Sequence, residues 1–162
     1  MGGIVQTNYN QYMDEAYAGQ ISKASLGNNI SMVQKVSPVG FGLAVVQGTE
    51  DGECISPTAT GAVFRGVTVR NLNINNNEAN IGEYQVDEFV AIRNFGSIMV
   101  IAESNVAKDG DVYFRHTAGT GSVLGSFLAT ADTATADRIV GARFNGTALA
   151  GELVEIILPS IY

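Results

Sequence analysis

From residue 30 onward the apolar positions recur mostly at every second residue, the spacing of strands rather than helices. Ile30–Val36 alternates, with Ile30, Met32 and Gln34 on one face. Phe41–Gln47 (FGLAVVQ) is apolar on both faces and reads as a buried strand. Val63–Arg70 sets Val67 and Val69 against Thr68 and Arg70, a half-buried pattern. Glu88–Arg93 and Ser97–Glu103 flank Asn94-Phe95-Gly96, which predicts a three-residue hairpin loop with glycine supplying the positive φ. Asp111–Arg115 points Val112 and Phe114 one way and Tyr113 and Arg115 the other; Arg138–Phe144 and Glu152–Leu158 close the chain around a turn at Asn145-Gly146. About eight short strands follow, with no long helix between them. Parallel sheets need long crossovers, so the prediction is an all-β, antiparallel sandwich or partly closed barrel of jelly-roll kind.

The first twenty residues follow a different period. Tyr9, Tyr12, Met13, Ala16 and Tyr17 fall on one helical stripe, with Asn8 as N-cap and Gly19 as stop. A helix of about ten residues is unstable alone in water, so its aromatic stripe must dock on its own domain or on another protein. The expected division is a short N-terminal helix or arm over residues 1–20 and a single β-domain over 21–162. Two stretches interrupt the strands. Asn71–Asn80 carries six asparagines and predicts an exposed loop. Thr117–Asp137 is Gly, Ala, Ser and Thr with few large residues, a long loop or a loosely packed excursion.

Composition sharpens the β reading. The 162 residues include 17 Val and 13 Ile against 8 Leu, and only three Lys; β-branched side chains suit a pleated sheet. Charged residues make up 15%, below the usual ~25%, so the surface is expected to rely on Gly, Asn, Ser and Thr or else to be partly covered by a partner. The net charge of −7 and the absence of adjacent basic residues argue against nucleic acid as a direct ligand. Met1–Thr7 lacks the basic and apolar regions of a signal peptide, and no apolar run is long enough to span a membrane. A soluble protein made in a reducing cytoplasm is the expectation.

Candidate chemistry is sparse. His116 is the only histidine and Cys54 the only cysteine. Ser122 and Asp111 could be offered as triad partners of His116, but such residues are common and the expectation is a solvated histidine at a strand end. One Cys and one His cannot make a zinc site. Cys54, beside Glu50, Asp51 and Glu53, is expected to be small, partly buried and unreactive. Asp109-Gly110-Asp111 resembles a fragment of a calcium loop but lacks the later carboxylates, so a turn entering a strand is expected. No cofactor, metal or catalytic residue is assigned, which points to a structural or binding protein.

The order and punctuation of the strands carry one resemblance. Gly40-Phe41-Gly42-Leu43-Ala44-Val45-Val46, Phe64-Arg65-Gly66-Val67-Thr68-Val69 and Phe89 to Val100 lead into Asp109-Gly110-Asp111-Val112-Tyr113. Val140-Gly141-Ala142-Arg143-Phe144 and Ala150 to Ile156 complete the series. Over roughly residues 16–158 the chain resembles the structural cement, or decoration, proteins of tailed-bacteriophage capsids. The resemblance implies a non-enzymatic protein on the outside of the virion head that clamps neighbouring major capsid protein subunits. It also implies a homo-oligomer, the trimer favoured over the dimer, with no nucleic acid or membrane partner. The expected contacts are Ile4, Tyr9, Tyr12, Met13 and Tyr17 of the arm, and Asn75 and Asn76 of the asparagine loop. Another virion component, of the tail or head completion, or a carbohydrate-binding β-sandwich adhesin would be the alternatives. The adhesin is poorly supplied with aromatic platforms, since the chain has no Trp.

Overall fold

The computed structural model describes residues 16–22, 26–71 and 82–160. Among them there is no helix, and eleven strands form the architecture: β1 (Asn28–Gln34), β2 (Val39–Gly40), β3 (Ala44–Gln47), β4 (Glu53–Ile55), β5 (Phe64–Thr68), β6 (Glu83–Tyr84), β7 (Phe89–Ile101), β8 (Asp111–Arg115), β9 (Phe127–Leu128), β10 (Ala136–Phe144) and β11 (Leu153–Leu158). The all-β, partly closed barrel predicted from the periodicity is the fold observed. The proposed N-terminal helix, apart from its last residues, lies outside the described residues.

Two rings of strands share β7. The first runs β1-β4-β3-β5-β7 and returns to β1. The second runs β7-β11-β10-β8-β9 and comes back through a bridge between Phe127 and Ala102, the residue after β7. Closure of this kind removes most of the open edges that would otherwise pair with other chains. Besides the parallel Ala102–Phe127 bridge, one strand pairing departs from the antiparallel expectation, because β1 and β4 run parallel, Val33 opposite Glu53. The two intervening strands β2 and β3 serve as the crossover that parallel pairing requires.

The 13-residue β7 replaces the predicted hairpin. Asn94-Phe95-Gly96 has turn composition, yet each half of the strand has its own antiparallel partner: β1 over 89–95 and β11 over 96–101. Gly96, at φ 98, lets the strand pass from one ring to the other without reversing. The turn predicted at Asn145-Gly146 is likewise longer. β10 ends at Phe144 and β11 starts at Leu153, with Ala148 bridged to Val106 between them.

Each ring buries its own core. Met32, Val45, Cys54, Val90 and Ile92 fill the first, and Val39 and Tyr84 of the β2–β6 ribbon join them. Ile98, Val100, Phe114, Phe127, Phe144, Ile156 and Leu158 fill the second. Buried apolar side chains of this size contribute roughly 1.5–3 kcal/mol each. The strand expected to be apolar on both faces is β3: Val45 points into the first core, Ala44 and Val46 into the second. Thr68 is fully buried rather than half-exposed, its hydroxyl donating to the Gly40 carbonyl at 2.7 Å. The stretch 117–137 is anchored by β9 and by Arg115, which donates to Glu103, Asp132 and Thr135.

Candidate contact surfaces

The root of the N-terminal segment is fixed by glycine. Gly19 takes φ 78, and a Cβ there would lie within 2.9 Å of backbone atoms of Arg70, Gly42 and Thr68. Its amide donates to the Met99 carbonyl, Met99 donates to Gln20, and Arg70 donates to Gly19, each at 2.8 Å. Gly42 faces it, and a Cβ at that position would meet the Gly19 amide at 2.7 Å. Tyr17 stands just outside this clamp. The Arg70 guanidinium lies 4.6 Å from the Tyr17 ring centre and 5.6 Å from that of Phe41, which meets Tyr84 edge-on. Tyr17 nevertheless stays partly exposed. Of the expected contact residues, Ile4, Tyr9, Tyr12, Met13, Asn75 and Asn76 lie outside the described residues, and Tyr17 lies within them.

Next to Tyr17, the outer face of β7 and β11 forms a shallow groove of about 690 Å³ lined by Gln20, Ser22, Met99, Ile101 and Leu153. A second apolar feature stands at one end of the first ring. Beyond the Val33–Phe89 pair, Gln34 donates to the Glu88 carbonyl and accepts from the Asp87 amide, and the side chains of Lys35 and Asp87 are joined at 2.5 Å, so Val36 and Val86 stand beside this ion pair at one end of the ring. Val36 is 77% exposed, Phe89 75% and Val86 40%. β1 ends at Gln34, and the chain turns outward. Buried Gln34 donates to the Ser37 carbonyl at 2.7 Å, and Ser37 donates back to the Lys35 carbonyl at 2.9 Å. That bond closes a γ-turn centred on Val36 at φ 75.

The titratable groups take up structural positions. His116 is buried, not solvated: Nδ1 lies 2.9 Å from the Thr117 hydroxyl, and Nε2 lies 3.7 Å from Asp137. Asp137 also accepts from the Gly61 amide at 2.7 Å. Ser122 bonds to Gly119, and Asp111 is held by Arg138 and Arg143, so neither is a partner of His116. Cys54 is wholly rather than partly buried, and burial pushes its thiol up to about 11. Asp109 takes φ 64 in a turn that leads into β8, as its sequence predicts. Arg93 is buried between Gly27 and Gly96 and donates to Asn29 at 3.2 Å; its Nε and Nη2 have no partner among the described residues. Burial holds its guanidinium below the ordinary value. No cluster of three or more metal-ligating side chains occurs among the described residues, and they include no helix long and apolar enough to cross a membrane.

Residues 5–158 match the sequence pattern of one family, described as structural cement protein (E217 gp24/Pam3 gp6). The chain belongs to the structural cement protein family. Membership gives it a structural role in the virion, in association with the capsid. A chain of the capsid of Myoviridae phage XM1 shares the fold, with a TM-score of 0.77 at 16% identity over 99% of this chain and 100% of that one. The N base of head fiber gp8.5 of bacteriophage phi29 aligns with a TM-score of 0.49 at 18% identity, over 82% of this chain and 94% of that one. No curated protein sequence matches.

Sequence reasoning missed two features of this cement protein. The Gly19–Gly42 contact joins residues far apart in sequence and leaves no local signature. The exposed Val36 tip left a faint one, Ser37-Pro38 directly after the last alternating position, since Pro ends ladder pairing.

Proposed function

We propose that this cement protein decorates the outer surface of a phage head, binds the major capsid protein there and holds neighbouring capsid subunits together without catalysis. The observation that carries the reading is the family match over residues 5–158. The chain's physical character supports it. A net charge of −7 keeps the protein from competing for packaged DNA, and a surface low in charge suits burial under partners. Each subunit needs only a weak contact, because a homo-oligomer that engages several capsid subunits gains through effective concentration. Symmetry favours a trimer or dimer at local three-fold or two-fold positions, the trimer first. The arm contributes Ile4, Tyr9, Tyr12, Met13 and Tyr17 to this contact, on the capsid or on a sister subunit, and Asn75 and Asn76 contribute a second patch. Support for the arm comes from its root: the Gly19 clamp gives residues 1–15 a fixed point of departure beside the exposed Tyr17.

Cosedimentation with heads stripped of this protein tests the reading. The wild-type chain pellets with heads, and a Tyr9→Ser, Tyr12→Ser, Met13→Ser variant stays in the supernatant. Wild-type protein that does not pellet overturns the function; a triple variant that pellets normally overturns the role of the arm.

A further inference from the structure

The Val36 tip combines two features that the protein's own fold gives no reason to keep. A β-branched residue in the left-handed region is a genuine outlier, and strain of this kind persists only where the surroundings over-determine it. Here they do. Gln34 grips the Ser37 carbonyl, Lys35 donates to the Cys54 carbonyl at 2.9 Å, and Asp87 donates to the Gln34 carbonyl at 2.8 Å. Lys35 is also paired with Asp87 and Glu53. Gly or Asn would relieve the backbone, and a polar side chain would relieve the exposure, yet the chain presents Val. Phe89, which pairs with Val33, and Val86, next to the Lys35-bound Asp87, are exposed at the same end of the ring.

Charge states the chemistry of the partner. Glu53 and Asp87 pair with Lys35 beside the tip, Glu88 lies opposite Gln34, and the 49–52 turn that carries Glu50 and Asp51 is bound to β1 where Val33 donates to Gly52 at 2.9 Å. Against these five carboxylates stand Lys35 and, at the margin, Arg65, which donates to Gln47 at 2.6 Å. An apolar point inside an acidic rim fits an apolar socket inside a basic rim. We propose that Val36, Val86 and Phe89 form a docking tip that inserts into an apolar socket on a basic face of the capsid protein. This deepens the decoration reading above and rests on it. The tip is a surface separate from the groove beside Tyr17.

The test uses full-length protein, binding to stripped heads, and thermal unfolding. Val36→Gly raises the melting temperature by a few degrees, because strain is released, and weakens head binding about tenfold or more, the loss expected when a central apolar anchor is removed. Phe89→Ser weakens binding to a similar extent. Reversing the rim with Glu50→Lys and Asp51→Lys slows association, and wild-type binding weakens as salt rises. A purely structural Val36 would lose stability and leave binding unchanged, which overturns the proposal. A change in oligomeric mass in the absence of heads also overturns it, by assigning the tip to contacts between copies. Tip variants that bind like wild type refute the inference alone, whereas wild type that fails to bind refutes the decoration reading and the inference with it.

Discussion

Gly19→Ala tests whether the arm is clamped at its root as described. A Cβ at φ 78 costs about 1–2 kcal/mol in the left-handed region before any collision is counted. The collision then falls on three backbone atoms of Arg70, Gly42 and Thr68, all within 2.9 Å. Backbone has no rotamer to yield, so the cheaper response is for residues 16–22 to leave their seat. Leaving sacrifices three backbone hydrogen bonds worth about 1 kcal/mol each and the Arg70–Tyr17 contact worth about 0.5–1 kcal/mol. The cost of keeping the seat exceeds roughly 3–4 kcal/mol, and the segment opens while both ring cores stay intact. Hydrogen exchange reads this directly at the Met99 and Arg70 amides, which donate to Gln20 and Gly19. A change of about 3 kcal/mol accelerates their exchange by about a hundredfold, and the core amides of β11 stay protected. Gly42→Ala produces the same opening, and the double variant is no worse than either single one, because all three disrupt one contact. Unchanged exchange at Met99 and Arg70 in Gly19→Ala would show that the clamp does not hold the segment.

Four further outcomes follow from the charged and titratable groups. Arg115→Met leaves Glu103 and Asp132 without their cation and costs about 3 kcal/mol, measured as a drop in urea midpoint. Arg115 also holds the Asp132 carboxyl below its ordinary value; the stability this supplies is present above the unfolded carboxylate range and lost as pH falls below it, so proteolysis within residues 117–137 accelerates near pH 3. Cys54 titrates near 11 when folded, against about 8.5 unfolded. Its contribution is full below the unfolded value and disappears as pH rises toward the folded one, so the urea midpoint falls between pH 8 and pH 10 in wild type and less in Cys54→Ala. Arg93→Met removes a buried cation that has no carboxylate beside it among the described residues and raises stability by about 1–2 kcal/mol, read as a higher urea midpoint; a lower midpoint would mean that the guanidinium is compensated.

Much of the fold was legible because alternation is local. Ile30, Met32 and Gln34 were read onto one face and all point inward, and the two-sided β3 was recognised from Ala44-Val45-Val46. What escaped depends on partners remote in sequence. Asn94-Phe95-Gly96 makes a turn or a bend with equal ease; the choice falls to β1 on one side and β11 on the other, which lie about sixty residues away in either direction. The two-residue strands β2, β6 and β9 are too short to show a period. His116 reads as polar and therefore exposed, yet Asp137 and Thr117 supply the polar surroundings that make its burial tolerable. The contact surfaces were legible only in part. An aromatic stripe is visible in sequence, whereas the Val36 tip exists only because Gln34, Lys35 and Asp87 hold a turn against its own preference.

The central claim is that this cement protein coats the capsid lattice, and its copy number per major capsid protein in purified particles tests that claim most directly. Quantitative mass spectrometry is expected to give a ratio near one-to-one or a simple fraction of it. A handful of copies per particle would place the protein at the tail or connector instead, and its absence from particles would contradict the account.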